Sequence, residues 1–232
     1  MNRDSKGLIS GWGVRPQNNT RSMELEYKNF TYINYTECLT HSPKEFERYI
    51  TPDKECAGED NGINICIGDS GAGMAFRDFF RYKSRYYLRS VLSTAPPFED
   101  LCGTTPFITL TQISAHREFI ADNVVLDYEL GINSECGFPG NAGKKHEMPW
   151  YAAIYKLDKK SVRICAGSLI SHNIVISAAH CFWNHEKQRL DEADKYTVAL
   201  GKYFAVGDNE SDADVQRSPI SDIKIGPRFN GA

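Results

Sequence analysis

The run Cys66-Ile67-Gly68-Asp69-Ser70-Gly71 sets a serine between two glycines, beside a carboxylate and four residues after a cysteine. The glycines permit a tight turn at positive φ that lifts a hydroxyl clear of the backbone. They also let the N–H groups of Gly68 and Ser70 converge on a developing oxyanion. An acyl-transfer nucleophile needs both, although a plain Gly-Asp-Ser-Gly surface turn satisfies the same four letters. Further along, Ser177-Ala178-Ala179-His180-Cys181 closes an apolar strand with an imidazole next to a cysteine, and Cys165 lies upstream in Cys165-Ala166-Gly167-Ser168-Leu169-Ile170. A Cys165–Cys181 disulfide would clamp the strand end and fix the His180 ring, which suits a general base. A histidine on its own is more often structural, so the pairing of the two motifs carries the weight.

The elements that must hold these residues are short and β-type. Residues 85–93 (RYYLRSVLS), 149–155 (PWYAAIY), 162–170 (VRICAGSLI), 173–177 (NIVIS) and 196–200 are rich in β-branched and aromatic side chains and are set between Gly, Pro, Asn and Asp clusters. That pattern predicts an all-β antiparallel barrel or sandwich. One helix is expected over 114–125, where Phe119, Ile120 and Val124 recur at helical spacing. Residues 127–145 are polar and Gly-rich with no apolar period and read as a connector, placing a boundary near residue 126.

The 232 residues, 41% hydrophobic and 25% charged, describe an ordinary globular chain and exclude a disordered tail or a collagen-like rod. No stretch approaches about 20 consecutive apolar residues, which argues against a membrane span. Lys+Arg (27) and Asp+Glu (30) nearly balance, which argues against a basic nucleic-acid surface. Seven cysteines (Cys38, Cys56, Cys66, Cys102, Cys136, Cys165 and Cys181) form no paired CxxC cluster, so no metal site is expected and disulfides in an oxidising compartment are. Sequons at Asn18, Asn29, Asn34 and Asn209 fit a secreted glycoprotein. The start MNRDSKGLIS lacks the apolar core of a signal peptide. A secreted-type interior without that signal, and an odd cysteine, lead to the expectation that the chain is an internal piece of something longer.

Taken together, Gly11-Trp12-Gly13, residues 66–71, residues 90–95 followed by Cys102, Pro149-Trp150, and residues 165–181 with the terminal Ala-Ala-His-Cys resemble the trypsin-like serine endopeptidases of the chymotrypsin fold. The Gly73-Met74-Ala75-Phe76 continuation and residues 198–204 look closer to the modular serine proteases of arthropod immune cascades. The resemblance implies that Ser70 is the nucleophile and His180 the general base. It further implies that Gly68 and Ser70 supply the oxyanion-hole N–H groups, and that Asp69 is the carboxylate that receives a new N-terminus when a zymogen is cut. It implies disulfides Cys38–Cys56, Cys66–Cys102 and Cys165–Cys181, with Cys136 left over. The implied partners are a protein or peptide substrate and other cascade proteases or inhibitors; no cofactor and no nucleic acid are implied, and the location is extracellular.

The family order is base, acid, nucleophile, whereas Ser70 here precedes His180 by 110 residues. Residues 1–126 are therefore expected to be a C-terminal-type barrel carrying the nucleophile, 127–148 a linker, and 149–232 an N-terminal-type barrel, truncated, carrying the base. Docking of the two halves on each other would bring Ser70 and His180 together. The triad acid has no match, since Asp222 falls too early, and loss of that acid costs about 10⁴ in turnover. A catalytically impaired homologue acting as a binding module is thus the alternative. Between Cys136 and Pro149 no basic residue precedes an Ile-Val-Gly-Gly-like start.

At the pocket floor, six residues before Ser70, stands Asn64, which does not favour a substrate Arg or Lys as a carboxylate would. The substrate edge reads Ser93-Thr94-Ala95, and Phe107 or Ile108 would narrow the pocket. His41, His116, His146, His172 and His185 are expected to be surface residues. Asp208, Glu210, Asp212 and Asp214 are read as a solvated charge run in preference to a calcium loop.

Overall fold

The computed structural model describes residues 5–15, 20–42, 44–63, 68–80, 82–94, 105–124, 136–139, 148–157, 161–205, 212, 214–229 and 231. Among these the strands are β1 (Lys6–Gly11), β2 (Val14–Arg15), β3 (Thr20–Arg21), β4 (Glu26–Ile33), β5 (Lys54–Ile63), β6 (Gly73–Phe80), β7 (Lys83–Thr94) and β8 (Thr105–Gln112), followed by β9 (Tyr151–Leu157), β10 (Ser161–Ser171), β11 (Ile174–Ser177), β12 (Trp183–Asn184), β13 (Arg189–Leu190), β14 (Tyr196–Leu200) and β15 (Gln216–Pro219). The helices are α1 (Tyr35–His41), α2 (Lys44–Glu47) and α3 (Arg117–Asn123).

The expected all-β architecture is present. Six strands close a barrel in the order β1-β4-β5-β8-β7-β6, and the closing contact pairs Leu8 with Ala75. A five-stranded antiparallel sheet follows in the order β11-β10-β9-β14-β15. Two two-stranded ribbons, β2–β3 and β12–β13, lie outside these sheets. The five apolar runs picked from the sequence fall on β7, β9, β10, β11 and β14. In β9 the first five residues are all buried, a continuous apolar strand covered on both faces, whereas β4 alternates as a half-exposed strand does.

The covering of β9 explains why barrel and sheet are packed together. One apolar cluster contains Leu8, Trp12, Met74 and Leu92 from the barrel side and Tyr151, Tyr155, Ala166 and Ala199 from the sheet side. Trp12 has no exposed surface and meets Tyr151 edge to face, with ring centroids 5.2 Å apart. Its indole N–H donates to the Tyr203 carbonyl at 2.9 Å. Backbone pairing extends this seam. Leu25 N–H donates to Tyr203 O (2.7 Å), Ala205 N–H donates to Met23 O (2.8 Å), and Glu24 and Phe204 form an antiparallel bridge. Two smaller clusters surround the disulfides Cys38–Cys56, with Phe46 and Ile50, and Cys165–Cys181, with Ile154, Phe182 and Tyr196.

The expected helix is shorter and split. Residues Ile113–His116 form a 3₁₀ turn and α3 runs only from Arg117. Neither segment has a side-chain cap, and His116 breaks the α geometry at φ −117° and ψ 19°. The His116 ring is instead tied to Asp53, Nε2 to Oδ2 at 2.9 Å, so this histidine is a partly buried partner and not a free surface residue. Part of the expected connector is also anchored, since Tyr86 N–H donates to Gly137 O at 2.7 Å and Met148 is buried in the main cluster.

Trp12 is the largest fully buried side chain on the seam. Trp12→Ala is expected to lower unfolding free energy by about 3–5 kcal/mol, and Trp12→Phe by markedly less. Urea denaturation followed by circular dichroism measures both.

Candidate active site

The Ser70 turn is held from two sides. Toward its own barrel, Gly71 N–H donates to Leu92 O (2.9 Å) and Ala72 N–H to Asp69 O (3.0 Å). Toward the other side, Ala166 N–H on β10 donates to the Ser70 carbonyl at 2.8 Å. Gly71 has φ +89°, and a Cβ there would strike the Ala166 carbonyl and Ser177 Oγ, so backbone can approach backbone only because this residue is glycine. Ser177 Oγ completes the contact by donating to Ala166 O at 2.6 Å. Gly68 also has positive φ, at +101°. Among the described residues, the N–H groups of Gly68 and Ser70 have no hydrogen-bond partner.

β11 delivers His180 to the same place. Ser177 ends the strand, Ala178 leads into a 3₁₀ turn from Ala179 to Phe182 that carries His180, and Cys181 Sγ lies 4.0 Å from the Ser70 carbonyl oxygen. The His180 ring stands within 4.8 Å of the Cys165 and Cys181 sulfurs. Those sulfurs are joined to each other, so the cluster offers no thiolate to a metal. Burial lowers the His180 pKa from 6.5, and the positive charges of Lys54 and His185 lower it further. The imidazole is therefore held neutral at physiological pH, the state a general base requires. Among the described residues no carboxylate acts on His180, and Ser70 Oγ and the ring make no hydrogen bond to each other. Asp222 is exposed and faces Lys224 at 3.5 Å.

Asp69 is sealed under the turn. Its side chain is 4% exposed, and Oδ1 accepts from Trp12 N–H at 3.2 Å and from Arg163 Nη1 at 3.3 Å. Arg163 Nη1 also donates to Gly68 O at 2.6 Å, and the guanidinium lies 4.8 Å from the centre of the Trp12 ring. The Tyr151 phenol is buried beside this pair, and its burial pushes its pKa far above 10. Sequence reasoning missed Arg163. It lies two residues before Cys165 on an otherwise ordinary strand, and its partner is 94 residues away, so no local pattern marks it.

Other expected site residues are placed less centrally. Ser93 is half-buried in β7, and Thr94 pairs with Thr109 across a bulge. Asn64, Ala95, Cys66 and Cys102 lie outside the described residues, as do Asn18, Asn209, His146, Asp208 and Glu210. Ile108 is wholly buried in the main cluster and is a core residue instead of a pocket wall. Asn34 caps α1, accepting from Glu37 N–H at 2.9 Å, whereas Asn29 is exposed on β4. Cys136 is an exposed free thiol.

The expected solvated acidic run is corrected at Asp212. Asp212 is buried and paired with Lys202 Nζ at 2.5 Å, and its other oxygen accepts from Tyr203 N–H and Phe204 N–H. Burial opposes its ionisation, but Lys202 and the two N–H groups hold the carboxyl below its ordinary pKa.

The family model described as Trypsin matches residues 2–79 and 138–232. The chain belongs to this trypsin family of serine proteases. Among its relatives, melanization protease 1 of Drosophila melanogaster is 29% identical over 51% of this chain and 29% of its own length. CLIP domain-containing serine protease B10 of Anopheles gambiae is 39% identical over 33% of this chain and 23% of its own. The chain thus spans under a third of these curated relatives. A solved structure of mouse neuropsin, titled as a serine protease expressed in the limbic system, aligns at a TM-score of 0.39 and 21% identity over 53% of this chain and 49% of that one.

Lys54→Met removes the larger of the two cationic influences on His180. The native His180 midpoint is expected below 6.5 and should rise in the variant, as read by NMR titration of the ring protons. Because the folded pKa is depressed, protonating His180 opposes folding. The associated stability is present above the ordinary histidine range and is lost as pH falls through it.

Proposed function

We propose that the chain is a serine endopeptidase unit working by acyl-enzyme chemistry, with Ser70 as nucleophile and His180 as general base. The observation that carries this reading is the direct seating of the Ser70 turn on the β10–β11 strand pair that leads into the 3₁₀ turn of His180, with Ala166 N–H bound to the Ser70 carbonyl. Ser70 Oγ attacks the carbonyl carbon of a peptide bond while His180 accepts its proton, and the same imidazole returns the proton to the leaving amine. The N–H groups of Gly68 and Ser70, unpartnered among the described residues, suit the developing oxyanion. In this reading residues 1–126 form the nucleophile half, 127–148 the connector and 149–232 the base half. Asn64, Ser93, Thr94 and Ala95 border the substrate, with a neutral amide at the floor favouring uncharged side chains. The disulfides Cys38–Cys56 and Cys165–Cys181, the exposed sequon at Asn29 and the arthropod relatives support a secreted, glycosylated member of a protease cascade.

A second reading is a protease homologue that binds without cutting. It is favoured by one observation, that among the described residues the charges acting on His180 are the cations Lys54 and His185 and no acid.

A fluorophosphonate probe separates the two. Endopeptidase chemistry predicts covalent labelling that vanishes in Ser70→Ala and slows by about 10²–10⁴ in His180→Ala. A folded, oxidised chain that takes up no probe is the binding module.

A further inference from the structure

The ribbon formed by β6 and β7 departs from the rest of the chain in charge. From Arg77 to Arg89 the sequence carries Arg77, Arg81, Lys83, Arg85 and Arg89 against the single acid Asp78, although the whole chain has a net charge of −3. Aromatic rings are interleaved with these cations. The Arg77 guanidinium lies 6.0 Å from the centre of the Phe79 ring, and that of Arg85 lies 5.5 Å from the centre of Tyr87. Side chains alternate between the faces of a strand, so Arg77 and Phe79 share one face of the ribbon while Lys83, Arg85 and Tyr87 share the other.

The end of the hairpin adds open apolar surface. Among the described residues, Tyr82 and Phe79 are the most exposed large hydrophobic side chains, Tyr82 fully and Phe79 at 71%. Tyr82 stands at φ 66°, a left-handed conformation that suits Asn or Gly and not a bulky side chain. Its ring is open to solvent, so packing within the chain does not offset that strain.

We propose that the β6–β7 ribbon binds a linear sulfated polysaccharide, with sulfates paired to Arg77, Lys83 and Arg85 and sugar rings stacked on Phe79, Tyr82 and Tyr87. A guanidinium takes the oxygens of a tetrahedral anion in pairs, and an aromatic face covers the apolar C–H face of a sugar. A cluster of cations on one ribbon concentrates a polyanion from solution. Cations on both faces of a narrow ribbon fit a flexible chain that drapes around it. A bilayer would meet the tip alone, where the exposed Asp78, which accepts from Phe79 N–H at 2.7 Å, would be carried toward anionic headgroups. Neither Ser70 nor His180 takes part, so the proposal is independent of the endopeptidase reading.

The oxidised chain is titrated by calorimetry with a heparin oligosaccharide at several salt concentrations. Desulfated heparin, a single-stranded oligothymidylate, and vesicles of phosphatidylcholine and phosphatidylserine in equal parts are titrated alongside. Heparin should bind with an affinity that falls as salt rises, and desulfated heparin should not bind. Arg77→Gln/Lys83→Gln should weaken heparin binding about tenfold and flatten its salt dependence. Lys187→Gln/Arg189→Gln removes the same charge from the exposed β12–β13 hairpin and should change the affinity by less than about twofold. Phe79→Ser and Tyr82→Asn should each weaken binding about threefold or more with the salt dependence unchanged. Tyr82→Asn should do so with no loss in urea midpoint, because asparagine accepts the backbone angle.

Absence of heparin binding, equal weakening by the two charge pairs, or unaltered affinity in both aromatic variants would each overturn the proposal. So would oligothymidylate binding as tight as heparin binding, which would make the occupant a nucleic acid. Vesicle binding tighter than heparin binding and lost in Phe79→Ser would overturn it in favour of a bilayer.

Discussion

Trp12 is buried against residues far from it in sequence, and that burial joins the two parts of the molecule. Its ring meets Tyr151 and the Arg163 guanidinium, its indole N–H reaches Tyr203, and its backbone N–H reaches Asp69. Removing a ring of this size from water contributes several kcal/mol at about 25 cal/mol per Å². The indole N–H is satisfied at the same time, so none of that gain is offset by an unpaired donor. The seam thus orders the barrel and the sheet relative to each other, and with them the Ser70 turn and His180.

The contacts across the seam are non-covalent and local in space, so they do not depend on which segment comes first along the chain. Residues 23–25 pair with 203–205, and the turn at 68–71 meets β10 at Ala166. A long connection between such segments costs little, because loop-closure entropy grows only with the logarithm of length. A serine motif that precedes its histidine motif can therefore meet it in three dimensions, which is why the unusual order did not obscure the relation between the motifs.

Legibility in the sequence followed the range of the interaction. β7, β9, β10, β11 and β14 could be read because β-branched and aromatic runs are local signals. The positive-φ turn around Ser70 and the strand end before His180 were legible as local structure because glycine spacing and neighbouring cysteines are local signals. The helix after β8 was read too long, since the pattern at Phe119, Ile120 and Val124 does not register that His116 is drawn out of helical geometry and paired with Asp53. Asp212 was read as solvated because its neighbours in sequence are acidic, while the group that buries it, Lys202, is ten residues earlier. Long-range partners of charged residues leave no periodic trace.

Three buried carboxylates make the same point about organisation. Asp191 is met by Lys156, Asn184 and Tyr196, and the Lys156 hydrogen bond holds its carboxyl well below the ordinary range. Asp212 is met by Lys202, and Asp69 by Arg163. In each case a cation keeps an ionised acid from being stranded in a medium that penalises it. The first two draw that cation from the same part of the chain, so their neutrality is a property of the sheet region itself. Asp69 draws its cation from across the seam. Separation of barrel and sheet would leave its carboxylate without Arg163 directly beneath the serine. The Asp69–Arg163 pair is thus a contact between barrel and sheet that lies directly beside the serine.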